Sequence, residues 1–430
     1  MRLSVLDQSM IVSGRPPAAS IRETVELARL CDALGYHRFW VSEHHASDSI
    51  AGSAPEILLA ALAMVTQRIR LGSAGVMLPH YSALKVAEQF RVLESLAPGR
   101  IDLGLGRAPG SDGRTAFALN PNAAVAADNF PAQLRDLMAW VSGGALPDAH
   151  PFRMVTAQPA GDTAPQIWIL GSSNYGAQVA SYFGLPYCYA YFFTEGEGAA
   201  EALALYRETY RPSDAHPEPH SAVAVFALAA PTQDEADWHF APREVWRAER
   251  ERGLFQPLCS PEEALAYPFT EAQRARNAAI RARSACGTPG TVHHRLATIA
   301  DDLQIDEMAI VTAMHDPAAR QRSFELIADE FGLGTVRERR KEAVLFEKKD
   351  QKTCVSLAAT AGQKALPTLP ETRPPNTLAR TATPASPHSR PDLRFPQPQP
   401  ASHGRRSPDR HRAAWPGRWR RRLRPAPLGA

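Results

Sequence analysis

The chain has 430 residues, 44% of them hydrophobic, and a formal net charge of +3, which is room for one large domain or two to three ordinary ones. The charge is unevenly spread: from about Arg337 onward Lys and Arg exceed Asp and Glu by about 14, so residues 1–336 carry about −11. A mildly acidic body argues against nucleic acid as its substrate, and no window approaches the roughly twenty continuous apolar residues of a membrane span. Five scattered cysteines (Cys31, Cys188, Cys259, Cys286, Cys354) contain no C-x-x-C pair and suggest neither a disulfide framework nor a zinc knuckle. With no apolar signal segment ahead of the first strand pattern, a reducing cytoplasm is the expected compartment.

Short β-type runs alternate with longer helical periods from the N-terminus on. Leu3 to Leu6 is the first predicted strand, and Ser20 to Leu34 the first helix, with Gly35 as its C-cap. Phe39 to Val41 and Ala54 to Thr66 form the second strand and helix. Ile69 to Ser73 and Ser82 to Leu96 form the third pair, stopped by Pro98-Gly99 ahead of the strand Ile101 to Leu105. Phe130 to Val141 is helical, Ile167 to Leu170 a buried strand, and Asn174 to Phe183 a helix closed by Gly184. The strand Pro186 to Ala190, the helix Ala199 to Tyr210 and the strand Ala222 to Leu228 follow. Thr291 to Leu303, Glu307 to Val311 and Ala318 to Phe331 are the last helix, strand and helix.

Eight such units predict a (β/α)8 TIM barrel over residues 1–336. A doubly wound sheet is the alternative, but Leu6-Asp7-Gln8-Ser9 lacks the G-x-G-x-x-G that would follow its first strand. The excess length sits between Pro231 and Gly287, a charged stretch with Trp238, Trp246 and a helix over Ala272 to Arg283, read as an insertion near the barrel mouth. Residues 337–430 are rich in Pro and Arg without apolar periodicity and are expected to be a disordered tail. The tail's clusters, such as Arg418-Trp419-Arg420-Arg421-Arg422, leave open nucleic-acid or anionic-surface binding through it.

Four segments at predicted strand ends carry chemistry. Val41-Ser42-Glu43-His44-His45 puts two imidazoles and a carboxylate where the second strand stops, the end at which barrel loops converge. Adjacent histidines on a strand diverge, whereas a binuclear metal site needs H-x-H, so a metal-free role for His44 as hydrogen-bond donor or general base is favoured. Leu71-Gly72-Ser73-Ala74-Gly75-Val76-Met77-Leu78-Pro79 leaves its strand through small residues, which permits either a flat ring against the backbone or close strand packing. Gly99 to Gly110 is a strand ending in glycines around Arg107, whose fork matches a phosphate unless it is a solvated turn residue. Gly171-Ser172-Ser173-Asn174-Tyr175-Gly176 follows a buried strand and opens a helix: its hydroxyls and N–H groups suit an anion at the positive helix end, or a plain serine cap.

Taken in order, Glu43-His44-His45, the Gly72 to Pro79 turn, the Gly99 to Gly110 run and Gly171-Ser172-Ser173 with Phe183-Gly184-Leu185-Pro186 resemble the bacterial luciferase-like flavin monooxygenases. The single-chain bacterial subgroup is the nearest. The resemblance covers about residues 1 to 333 and returns after the insertion at Asp306-Glu307-Met308. It implies that reduced FMN is the cofactor, supplied by a separate flavin reductase, and that O2 and a small organic substrate react there in a homodimeric cytoplasmic enzyme. It implies that His44 is the active-site histidine, supported by His45 and Glu43, and that Ala74-Gly75 is a non-prolyl cis peptide against the isoalloxazine. Arg107, Ser172 and Ser173 would hold the FMN phosphate, with Gly171, Tyr175 and Gly176 extending that site. The same barrel family also contains reductases and dehydrogenases that use deazaflavin, which leaves that cofactor as the alternative.

Overall fold

A computed structural model describes residues 1–108 and 111–334. The expected tail, 337–430, and Pro109 and Gly110 of the arginine segment lie outside the described residues. The described residues form ten strands: β1 (Arg2–Asp7), β2 (Arg38–Val41), β3 (Arg70–Ser73), β4 (Val76–Met77), β5 (Ile101–Gly106), β6 (Gln166–Gly171), β7 (Tyr187–Tyr189), β8 (Ser221–Ala229), β9 (Ala285–Gly287) and β10 (Glu307–Val311). Eight of them, all but β4 and β9, close a parallel barrel. Its order is β1-β2-β3-β5-β6-β7-β8-β10, with β10 returning to β1 through Arg2 opposite Glu307 and to β8 through Met308 opposite Val223.

These eight coincide with the eight predicted strands. The two others were not expected, and both extend the mouth: β4 pairs the end of β5 at Leu105 and Gly106, and β9 pairs the end of β8 at Ala227 to Ala229. Helices cover the outside, Pro17–Leu34, Pro55–Val65, Ala83–Leu96, Phe130–Ser142, Asn174–Phe183, Ala199–Thr209, Pro289–Leu303 and Pro317–Glu330 among them. Gly35 and Gly184 end their helices in the left-handed conformation, as a C-cap glycine does.

The period-two alternation of the strands divides the core in two. Outward residues such as Leu3, Val5, Phe39, Val41, Leu71, Ile101, Leu103, Met308 and Ile310 join the helix faces in one large cluster. Inward residues fill the barrel in layers, as the fold requires. Trp40 and Trp168 meet edge to face, with ring centroids 5.1 Å apart, and with Ala222, Ala309 and Val311 make the middle.

Below them lies an ionic floor. The buried Arg38 guanidinium donates to Asp102 at 2.8 and 2.9 Å, to Glu307 at 2.7 Å and to Gln166 at 2.9 Å. Asp102 also accepts from Trp40 Nε1 at 3.0 Å and from Arg70, and Glu307 from Ser4 and His220. Burial raises the Glu307 carboxyl, but the hydrogen bond from His220 and the charge of Arg38 outweigh it and hold it down to about 2. The floor closes the barrel at the strand N-termini, so a ligand has only the opposite mouth.

The stretch between Pro231 and Gly287 is more helical than the sequence suggests. It holds helices Gln233–Glu251, Pro261–Leu265 and Glu271–Arg283 before β9. Helix Gln233–Glu251 is strongly polar, and two of its arginines find their partner elsewhere: Arg243 and Arg247 donate to the buried Glu195 carboxylate at 2.6 and 3.2 Å. Arg250 and Phe255 from this stretch line the cavity at the barrel mouth.

Candidate active site

A cavity of about 660 Å³ opens at the C-terminal ends of the strands, within the roughly 300–1,000 Å³ of ordinary cofactor clefts. Glu43, His44, His45, Ala74, Gly75, Arg107, Gly171, Ser172, Ser173, Tyr175 and Gly176, singled out from four separate segments, all line it. Gln8, Met77, Cys188, Phe192, Phe193, Arg250 and Phe255 line it too, and were not expected.

The histidine segment begins where β2 stops, at Val41. His44 Nδ1 lies 3.2 Å from Ser42 Oγ, which fixes the ring. Burial, then the positive charge of Arg250, lowers the His44 pKa to about 4, so at neutral pH this imidazole is uncharged and has both a donor and an acceptor nitrogen.

Glu43 and His45 do not face the same task. The Glu43 side chain is 1% exposed, and its carboxylate collects His45 Nε2 at 2.8 Å, the Tyr81 hydroxyl at 2.8 Å and the Met77 backbone N–H at 3.3 Å. Tyr81 OH also lies 3.3 Å from His45 Nε2. Burial and the neighbouring carboxylate raise the Tyr81 phenol above its ordinary value, which keeps it a donor. Glu43 thus ties the loop after β2 to the segment after β4 and orients His45. Tyr81 was missed because nothing in Pro79-His80-Tyr81 reveals that its partner stands 38 residues earlier.

Small residues, Ala74 and Gly75, also line the cavity. The Ala74–Gly75 peptide is cis, in agreement with the resemblance. Ser73 Oγ donates to Gly104 O at 2.9 Å and Ala74 N–H to Val41 O at 2.7 Å. A Cβ on Gly75 would stand 2.7 Å from Leu170 Cδ1 and 2.8 Å from Gly104 O, and one on Gly104 would stand 2.0 Å from Ser73 O. The close-packing alternative holds at Gly75 and Gly104, where the strands touch too closely for a side chain.

At the other end of the cavity Arg107 stacks on Tyr175, its guanidinium carbon 4.0 Å from the ring centroid. Among the described residues it has no ion pair. Ser172 and Ser173 are exposed beside it, ahead of helix Asn174–Phe183. Ser173 occupies the N-cap position yet makes no side-chain cap bond, so the capping alternative does not hold in this structure. A free guanidinium, two hydroxyls and the positive end of a helix are together a cradle for a phosphate-sized anion, and Gly176 brings the helix against Tyr187.

A parallel barrel that brings an arginine, two exposed serines, small residues and a buried imidazole to one cavity at its mouth has the layout of a barrel enzyme. The profile described as luciferase-like monooxygenase matches residues 1–307, and the chain belongs to that family. It is 37% identical over 329 residues to N-acetyl-S-alkylcysteine monooxygenase of Bacillus subtilis strain 168, covering 76% of this chain and 98% of that protein. The solved structure of apo-MsnO8 is 36% identical and superposes with a TM-score of 0.71, covering 77% of this chain and 99% of the other. Two more distant structures share the fold alone: the oxygenating constituent of 3,6-diketocamphane monooxygenase from Pseudomonas putida in complex with FMN, 18% identical with a TM-score of 0.56, and an F420-dependent secondary alcohol dehydrogenase, 13% identical with a TM-score of 0.54. They cover 77% and 78% of this chain and 97% and 99% of their own. No helix among the described residues is long and apolar enough to cross a membrane.

Proposed function

We propose that this chain is an FMN-dependent monooxygenase that oxidises a small organic substrate with O2, using reduced FMN delivered by a separate reductase. The observation that carries this reading is the juxtaposition, in one cavity, of Arg107, without an ion pair among the described residues, with Ser172 and Ser173 at one end, the small residues Ala74 and Gly75, and the uncharged His44. Arg107, Ser172, Ser173 and the first N–H groups of helix Asn174–Phe183 would hold the phosphate, with Gly171, Tyr175 and Gly176 shaping its bed. Ala74 and Gly75 would lie against the ring system. When bound, the reduced flavin supplies the electrons that activate oxygen.

The protein's own contribution is positioning and proton control. His44 is fixed through Nδ1 by Ser42, and its Nε2 serves as donor or acceptor without carrying a charge that would need solvating. Glu43 holds His45 and Tyr81 in place. Phe192, Phe193 and Phe255 give the mouth an apolar rim, and a dry mouth slows unproductive reaction with water.

The test is a spectral titration of the purified chain with reduced FMN and with a reduced deazaflavin, followed by oxygen uptake in the presence of a flavin reductase. Preferential binding of FMN with substrate-dependent product formation is expected. Preference for the deazaflavin would overturn the assignment and make the chain a reductase or dehydrogenase on the same barrel.

A further inference from the structure

Helix Gln233–Glu251 and the turn after it carry four arginines in their second half, and three have carboxylates. Arg243 and Arg247 share Glu195, and Arg252 pairs with Glu249 at 2.9 Å. The other carboxylates nearby are engaged as well: Glu249 accepts from Tyr267, Glu251 from Arg276 and Glu244 from Arg281.

Arg250 alone has none. It is half-buried, lines the cavity, and among the described residues makes no hydrogen bond or ion pair. Its only contacts of note are aromatic, with the guanidinium carbon 5.1 Å from the Trp246 ring centroid and 5.6 Å from that of Phe255. Those rings fix the direction of the fork without satisfying its five N–H donors. A half-buried guanidinium that lines a cavity and has no carboxylate among the described residues keeps its planar fork available to an anionic ligand.

The surroundings define the rest of that ligand. Phe192, Phe193 and Phe255 share the cavity lining with Arg250, and His44 is close enough to feel its charge. We infer that Arg250 is a substrate-recognition residue, and that the substrate is a small organic carboxylate whose acid group sits on Arg250 while its apolar part lies against Phe192, Phe193 and Phe255, with the reacting atom toward His44. The inference rests on the proposed function in taking this cavity as the reaction site, with the flavin phosphate on Arg107 rather than on Arg250.

The experiment uses the full chain, loaded with FMN, and a matched pair of probes, 3-phenylpropanoate and 3-phenylpropanamide, titrated by calorimetry. They share the phenylethyl body and differ in the head group, an anionic acceptor-only carboxylate against a neutral amide of similar shape. The acid is expected to bind at least tenfold more tightly than the amide, since a charge-assisted bidentate pair is roughly twice as strong as a neutral hydrogen bond. Arg250→Gln should bring the acid down to the amide's affinity while leaving the amide, FMN affinity and melting temperature unchanged. Arg250→Lys, which keeps the charge and loses the fork, should retain part of the preference.

Equal affinity of acid and amide for the wild-type chain, a preference that survives in Arg250→Gln, or binding of neither probe by a chain that takes up FMN would each overturn the inference. The same titration without FMN separates the two readings. A chain that fails to bind FMN but still prefers the acid through Arg250 retains this site and loses the flavin assignment.

Discussion

Gly104 is the position where the fold depends most directly on a missing side chain. A Cβ there would stand 2.0 Å from Ser73 O, 2.9 Å from Leu170 Cδ1 and 3.1 Å from the Ser73 carbonyl carbon. Leu170 is a flexible end that yields, but Ser73 O belongs to the neighbouring strand and leads directly into Ala74–Gly75, so at Gly104→Ala the backbone must separate by more than 1 Å to reach an ordinary contact. Overpacking of this kind costs about 1–3 kcal/mol and more where backbone moves, which puts the expected loss at about 3 kcal/mol. With an unfolding entropy of roughly 2 cal/mol/K per residue over about 330 ordered residues, that lowers Tm by about 4 °C. Gly106→Ala is the control two residues along the same strand: nothing lies within 4 Å of its Cβ, and its effect should stay within about 0.5 kcal/mol. Thermal melts of both variants without flavin, followed by titration with reduced FMN, measure the two consequences. If Gly104→Ala melts with the wild type and binds FMN as tightly, the contact between β5 and the Ser73–Gly75 turn is not what demands glycine, and the argument for close packing there falls.

Three further outcomes follow from other parts of the molecule. Arg107→Ala should weaken reduced FMN by about ten- to a hundredfold, the equivalent of roughly 1.5–3 kcal/mol for a charge-assisted bond, and unchanged affinity by calorimetry would make Arg107 a surface turn residue. His44→Ala should leave FMN affinity within a few-fold but lower turnover by about 10²-fold or more. Because the folded His44 pKa is depressed to about 4 from an ordinary 6.5, its protonation favours the unfolded chain as pH falls from 6.5 to 4, and the variant should lose less stability than the wild type across that window. Glu307 is likewise depressed, to about 2 from 4.5: its contribution is complete above pH 4.5 and disappears as pH falls toward 2. Glu307→Gln should therefore destabilise at pH 7 and flatten the acid limb of a urea-midpoint against pH curve, and a parallel curve would mean that Glu307 carries no such linkage.

The barrel was legible because each of its eight strands is buried on both faces, against helices outside and layered side chains within, and so reads as a short apolar run between turn residues. β4 and β9 were not legible, being two and three residues long and existing only because β5 and β8 offer them an edge. Helix Gln233–Glu251 was obscured by its charge and by Pro242: its polar residues are satisfied across the molecule by Glu195, Tyr267 and Arg276, pairings that no local periodicity records. At the site, sequence spacing selected segments that do meet in one cavity, since strand ends must converge in a parallel barrel. It could not decide what a residue does there. Whether Ser173 caps its helix or faces a ligand turns on one hydrogen bond, and Tyr81 becomes visible only once Glu43 has been placed.

Arginine shows the same limit more sharply, because its role depends entirely on whether a carboxylate arrives from elsewhere in the chain. Arg38 and Arg70 share Asp102 on the barrel floor, and Arg320 reaches Asp7 at 2.5 Å. Removing one partner from such buried pairs is more damaging than the pair is worth, because a charge is stranded, so these guanidiniums are committed to holding the fold. Arg107 and Arg250 are the exceptions on the cavity wall, each stacked on aromatic rings and neither given a carboxylate among the described residues. Folding supplies the orientation of these two forks and gives neither a carboxylate among the described residues. The positive charge that the barrel neutralises on its floor is therefore left available at its mouth, where an anionic cofactor and an anionic substrate would complete it.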